Sequence, residues 1–177
     1  KSNGDIIGIL NSDDIYYKET LDIVNKYFNK YKNLDFLFGS VYKHKLLHGY
    51  YPKKIKWSFG FYSTHSIGFF IKKEAHKKVG SYNIKYKYSA DYDLFYRLII
   101  KKKMNGMATK KSEVFGKFRR GGLSSRIRYI DFLKECTQIR LDNKQNFFIV
   151  YLIFFARILR NLRKILIWKL LFVFVSV

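Results

Sequence analysis

Acidic residues are scarce in this chain. Only 13 Asp and Glu stand against 35 Lys and Arg among 177 residues, for a formal net charge of +22. That balance favours an anionic partner: nucleic acid, an anionic membrane surface or a phosphorylated substrate. Cysteine is rarer still. The single Cys136 excludes an intramolecular disulfide framework and a Cys-rich zinc site, and its neighbours read as a buried helix position. One proline and 11 glycines argue against a low-complexity or collagen-like chain. No run reaches the roughly 18 uninterrupted apolar residues of a spanning helix. Apolar residues make up 48% and aromatics 19%, which is enough for a chain that folds, at a length that suits one domain or most of one.

The pattern of apolar residues predicts an α/β fold. Ile6 to Leu10 reads as a buried parallel strand, and Asn11 to Asp14 carries turn and N-cap chemistry. Leu21, Val24 and Phe28 recur at helical spacing, predicting a helix over 18–30, and Asp35 to Val41 reads as the next strand. Strand, helix and strand with short links form a βαβ unit. Residues 42–60 read as a loop or flap, Ser66 to Ile71 as a strand, and Lys73 to Val79 as a short helix closed by Gly80. Helices are expected over 91–103 and 126–141, with a Gly/Ser/Arg loop over 116–125. Residues 1–10 read as a strand already inside a domain, so the chain is expected to be the C-terminal part of something longer, or a truncated reading frame.

The tail from Phe147 onward has a different composition. Residues 147–156 are apolar on all sides, whereas 157–166 gather Arg157, Arg160, Arg163 and Lys164 on one arc and Ile158, Leu159, Leu162, Ile165 and Leu166 on the other. A basic amphipathic centre between apolar flanks predicts a helix or helical hairpin lying in a membrane interface. The alternative is a terminal helix pair packed on its own domain or on a second subunit.

Of the few acids, four fall in two tight clusters: Asn11-Ser12-Asp13-Asp14 and Ala90-Asp91-Tyr92-Asp93. Each has two readings. The first cluster is either a turn with a helix N-cap or a carboxylate site beyond the end of a parallel strand, where open α/β sheets bind ligands and a divalent cation can neutralise a diphosphate. The second is either a helix start whose acids complement the macrodipole or a carboxylate held on a rigid helix start as general base.

Taken in order along the chain, these segments resemble a known family. Gly4 to Tyr16 (GDIIGILNSDDIY) looks like the strand and acidic motif of family 2 glycosyltransferases with the GT-A fold, and Ser89 to Leu98 (SADYDLFYRL) resembles their base-bearing motif. His65 to Lys73 and Val79 to Tyr82 resemble the segments between, and Phe118 to Ser124 the closing loop. The likeness covers about residues 3–125. It implies a partial GT-A, Rossmann-like mixed sheet with flanking helices over 1–125, a connecting helix over 126–146, and a membrane-associating tail over 147–177. It also implies transfer of a sugar from a nucleotide-diphosphate donor to an acceptor hydroxyl, with inversion. Asp13 would bind a divalent cation, Mg²⁺ or Mn²⁺. Asn11 stands where the family's first acid usually is, beside the donor, and Asp14 would support the same site. Asp91 would be the catalytic base, and Asp93 would orient it or contact the acceptor. His65 either lines the acceptor side or packs at a strand start, and Trp57 could stack on a sugar face. Arg119, Arg120 and the Gly121-Gly122 turn would meet phosphate or form a solvated basic loop. The family's N-terminal nucleotide-binding units have no counterpart here, so the sheet is expected to expose an edge.

The expected partners are therefore a nucleotide-sugar donor, a glycan or lipid-linked acceptor and an anionic membrane surface, at the inner face of a bacterial cytoplasmic membrane. Two other classes remain. A nucleic-acid binder would use the +22 charge, yet the basic residues are spread along the chain and no binding motif is recognisable. A non-catalytic, membrane-associated remnant would share every motif with the enzyme.

Overall fold

The computed structural model describes residues 3–11, 14–57, 66–118 and 127–163. Eight strands and five helices follow in the order β1 (Ile6–Gly8), β2 (Ile15–Tyr16), α1 (Thr20–Lys30), β3 (Phe36–Phe38), β4 (Ser40–Tyr42), β5 (Leu46–Leu47), β6 (Phe69–Lys72), α2 (Lys73–Val79), α3 (Ala90–Tyr96), β7 (Gly106–Ala108), β8 (Val114–Lys117), α4 (Tyr129–Asp142) and α5 (Phe147–Arg160) among the described residues. The class is mixed α/β. Two four-stranded sheets run in the orders β1-β6-β3-β7 and β2-β8-β4-β5.

In the first sheet, β1, β3 and β7 point the same way, and β6 runs against them between β1 and β3. The expected βαβ unit therefore has its two strands parallel but not adjacent, because β6 inserts between them. β1 is a half-buried edge strand of three residues, shorter and less covered than the buried strand its apolar run predicts.

Alternation along the strands sorts the core onto two faces. Phe36, Phe38, Phe69 and Ile71 point to the face covered by α2, α3 and α4. Leu37 and Phe70 point to the other, with Val24, Tyr27 and Phe28 of α1. Leu21, expected on the buried face of α1, is exposed, and Thr20 takes the inner position and donates to the carbonyl of Phe115 at 2.6 Å. The α3 side is an aromatic layer: the Phe95 ring meets Phe69 at 4.7 Å and Phe38 at 5.4 Å, both edge-on.

The segment 35–41 reads as one strand but folds as two. Gly39 breaks it, its amide donating to the Gly68 carbonyl at 2.8 Å, and the chain passes from the first sheet to the second. The Phe115 ring lies where a side chain on Gly39 would stand. Residues 42–60, expected as a loop, contribute β5 and a short 3₁₀ turn at Pro52–Lys54. The predicted 91–103 helix loosens into a π-helical turn over Arg97–Lys101.

Two substitutions test this packing by chemical denaturation. Phe95→Ala should lower stability by about 3–5 kcal/mol through the lost aromatic contacts and the cavity. Gly39→Ala should cost about 1–3 kcal/mol by forcing the Phe115 ring aside.

Candidate functional site

The parallel strands direct the first acidic cluster to one edge of the sheet. β1 ends at Gly8, opposite Phe70, and the chain turns at Asn11, whose carbonyl accepts the Asp14 amide at 3.1 Å. The expected turn is present, but no helix follows it: β2 does, and α1 begins only at Thr20, so Asp14 is not an N-cap. Asp14 is buried. Asn11 Nδ2 donates to Asp14 Oδ2 at 3.0 Å and to Ser66 Oγ at 3.3 Å, joining the turn after β1 to the chain that leads into β6. Burial, and secondarily the Asp14 charge, pushes the neighbouring Tyr16 phenol up to about 12.

The second cluster reaches the same edge by a different route. Phe95 packs at the level of Phe38 and Phe69, the last residue of β3 and the first of β6. After α3 and its π turn the chain enters β7, where Gly106 faces Phe36 at the start of β3. The helix therefore descends from the C-terminal edge of the parallel strands to their N-terminal edge. Asp91 lies one turn above Phe95, at the upper edge, as the turn Asn11–Asp14 does. Its Oδ1 accepts the Tyr92 amide at 2.8 Å, and the nearby Tyr82 phenol is raised by burial first and by the Asp91 charge second.

Asp93 goes elsewhere. Two residues on a helix point about 200° apart, so Asp91 and Asp93 cannot share a face. Asp93 is buried against α4: Oδ2 accepts Arg97 Nε at 2.9 Å and Oδ1 accepts Asn143 Nδ2 at 3.0 Å. The same Arg97 donates to the carbonyls of Val79 and Ser81, closing the end of α2. Trp57 is exposed on the loop after β5. That loop is pinned to the start of α3, where Tyr92 Oη donates to the Ile55 carbonyl at 2.9 Å, and to the α4–α5 link, where Gln145 Nε2 donates to the Lys56 carbonyl at 2.8 Å. Asp13, His65, Arg119, Arg120 and the Gly121-Gly122 turn lie outside the described residues.

The helix expected over 126–141 is present as α4, but its role in holding the α3 start was not read from the sequence. Glu135 of α4 accepts the backbone amides of Lys87 and Tyr88 at 2.6 and 2.7 Å, just before α3 begins. Cys136 is buried as expected, its Sγ 3.4 Å from Ser89 Oγ, and burial pushes its thiol up to about 12. Asp142 accepts Lys85 Nζ and Tyr86 Oη, both at 2.6 Å. The spacing of Glu135, Gln138 and Asp142 on one helical face was the available signal, but nothing in the sequence says which loop they meet. Beside them a shallow cleft of about 470 Å³ is lined by Ser81, Lys85, Tyr86, Asp93, Arg97 and Asp142.

The upper edge gathers oxygen-bearing side chains: the Asp14 carboxylate and the Ser66 hydroxyl, both accepting from the Asn11 amide nitrogen. Hard donors of this kind suit Mg²⁺ or Mn²⁺ rather than softer metals. No group of three His, Cys, Asp or Glu that could hold a metal occurs among the described residues. No family model matches the chain, and no curated protein matches it.

Two outcomes follow for the α4 contacts. Glu135→Ala should release the 87–88 backbone and cost about 1–3 kcal/mol, with Glu135→Gln intermediate, read by denaturant titration. The Lys85 and Tyr86 hydrogen bonds hold the Asp142 carboxyl at about 2, below its ordinary 3.8. A depressed carboxylate stabilises the fold above its unfolded value and loses that contribution as pH falls towards its folded one. Acid unfolding of the parent should therefore steepen between about pH 4 and pH 2, and Asp142→Asn should flatten that part of the profile.

Proposed function

We propose that this chain carries the acidic and base-bearing part of a GT-A glycosyltransferase, which moves a sugar from a nucleotide-diphosphate donor to an acceptor hydroxyl with inversion. The observation that carries the reading is the shared edge: the turn Asn11–Asp14 and the first turn of α3 with Asp91 both stand beyond the C-terminal ends of β1 and β3. Ligands of open α/β sheets bind in that crevice. The resemblance of both segments to family 2 motifs supplies the chemistry.

In this reading Asp13, with Asn11 and Asp14 beside it, holds a divalent cation. When bound, the cation neutralises the donor's diphosphate. Asp91 takes the proton of the acceptor hydroxyl. The acceptor oxygen bonds to the anomeric carbon as the carbon–oxygen bond to the diphosphate breaks, and that electron pair leaves with the diphosphate. No enzyme nucleophile is needed. Trp57, exposed beside the α3 start, offers an apolar face to a sugar ring. Asp93 supports the site through Arg97 and Asn143 rather than by touching the acceptor.

The test is transfer or hydrolysis across a panel of nucleotide sugars, with Mn²⁺, Mg²⁺ or a chelator. Asp91→Asn should lower turnover about 10²–10⁴-fold while leaving the thermal midpoint near that of the parent. Asp13→Ala should abolish the metal-dependent part. Activity that survives Asp91→Asn removes the base assignment. Tight, salt-sensitive RNA or DNA binding with no turnover of any donor sinks the reading altogether.

A further inference from the structure

α5 packs one face inward and leaves the opposite face bare. Val150 and Ile153 are buried, and Asn161 Nδ2 donates to Tyr129 Oη at 3.0 Å, which ties the end of α5 to the start of α4 as an antiparallel hairpin. On the far side, Phe148, Leu152, Phe155, Leu159 and Leu162 recur every three or four residues and are 43–79% exposed. Within α5, Phe148, Leu152, Phe155 and Leu159 fall within about 60° of arc at 100° per residue, so they form one stripe, which Leu162 follows past the helix end at Asn161. Five large apolar side chains in a row expose several hundred Å², on the order of the largest patch a typical monomer carries.

The surroundings of the stripe distinguish its occupant. Residues 147–163 contain no acid, and Arg160 and Arg163 are exposed along one flank of the stripe. A second copy of the chain, also at +22, would bring arginine-rimmed faces of like charge together. An anionic bilayer complements both features: acyl chains take the stripe, and headgroup phosphates take the arginines, whose stems reach up from the apolar level. Crossing the bilayer is not open to this helix, because its 14 residues make about 21 Å of rise against a hydrocarbon core of about 30 Å. No helix among the described residues is long and apolar enough to span.

We propose that α5 lies flat in the interface of an anionic membrane, with Phe148, Leu152, Phe155, Leu159 and Leu162 facing the acyl chains and Arg160 and Arg163 at the headgroups. The inference stands apart from the glycosyl-transfer reading, and its test has no activity readout. The full chain is sedimented with vesicles of phosphatidylcholine alone or with a third of phosphatidylglycerol, at low and high salt. The parent should bind the anionic vesicles, more weakly in high salt. Phe148→Gln/Leu152→Gln/Leu159→Gln should bind at least tenfold more weakly, and Arg160→Gln/Arg163→Gln should lose most of the preference for anionic lipid.

A second measurement guards against a variant that misfolds. Cys136 is buried, so an environment-sensitive dye attaches selectively to Leu152→Cys. Its emission should shift to the blue on adding anionic vesicles, whereas a dye on Lys134→Cys should not shift. Three results overturn the proposal. The first is a parent that prefers neither vesicle. The second is a triple variant that binds as the parent does, which assigns binding to other parts of the chain. The third is a labelled Leu152→Cys that shifts only with protein concentration, which assigns the stripe to a second copy.

Discussion

The buried carboxylate of Asp93 holds together the parts of this protein that matter most for its site. One oxygen takes the Arg97 guanidinium and the other the Asn143 amide. Through these partners a single side chain ties the first turn of α3 to the C-terminal end of α4 and, by way of Arg97, to the carbonyls that close α2. A charge this deep is tolerated only because both of its oxygens are matched; removing one partner would leave the other desolvated, which is far costlier than losing a surface pair. The constraint fixes the rotation of α3 about its axis. With Asp93 facing α4, Asp91, two residues earlier on the helix, takes a different face at the start of α3.

α4 supports that edge from a second direction. Glu135 and Asp142 grip the segment 85–88, and Cys136 and Ser89 meet at the helix start. The helix expected as a mere connector is thus part of the core, with Leu133, Cys136 and Ile139 fully covered. It also carries α5, so the apolar stripe is fixed relative to the sheet edge by the same hairpin. If the stripe lies on a membrane, the orientation of the edge over that membrane is set by packing rather than by a linker.

Much of this was legible locally. The heptad-like spacing in α1, the Gly80 stop after α2, the buried Cys136 and the helix start at Ala90 all follow from short-range chemistry: periodicity, turn residues and the cost of burying polar groups. The strands were harder. Asp35 to Val41 reads as one strand, and the break appears only where the Phe115 ring lies over Gly39 and the Gly39 amide meets the Gly68 carbonyl. β2, β5, β7 and β8 are two to four residues long, too short to show a period.

The sequence by itself determined the class of the protein, its positive charge, its aromatic core and the two acidic segments, because each is a property of neighbouring residues. Tertiary structure decided which acids meet and which part. Asp91 and Asp93 are indistinguishable as letters two places apart, but α4 approaches α3 from one side only. The Asp93 carboxylate is engaged by Arg97 and Asn143, and Asp91 takes a different face of the same helix. In the same way the all-round apolar character of 147–156 gave no direction to the helix. Docking on α4 hid Val150 and Ile153, and the residues half a turn away became a surface.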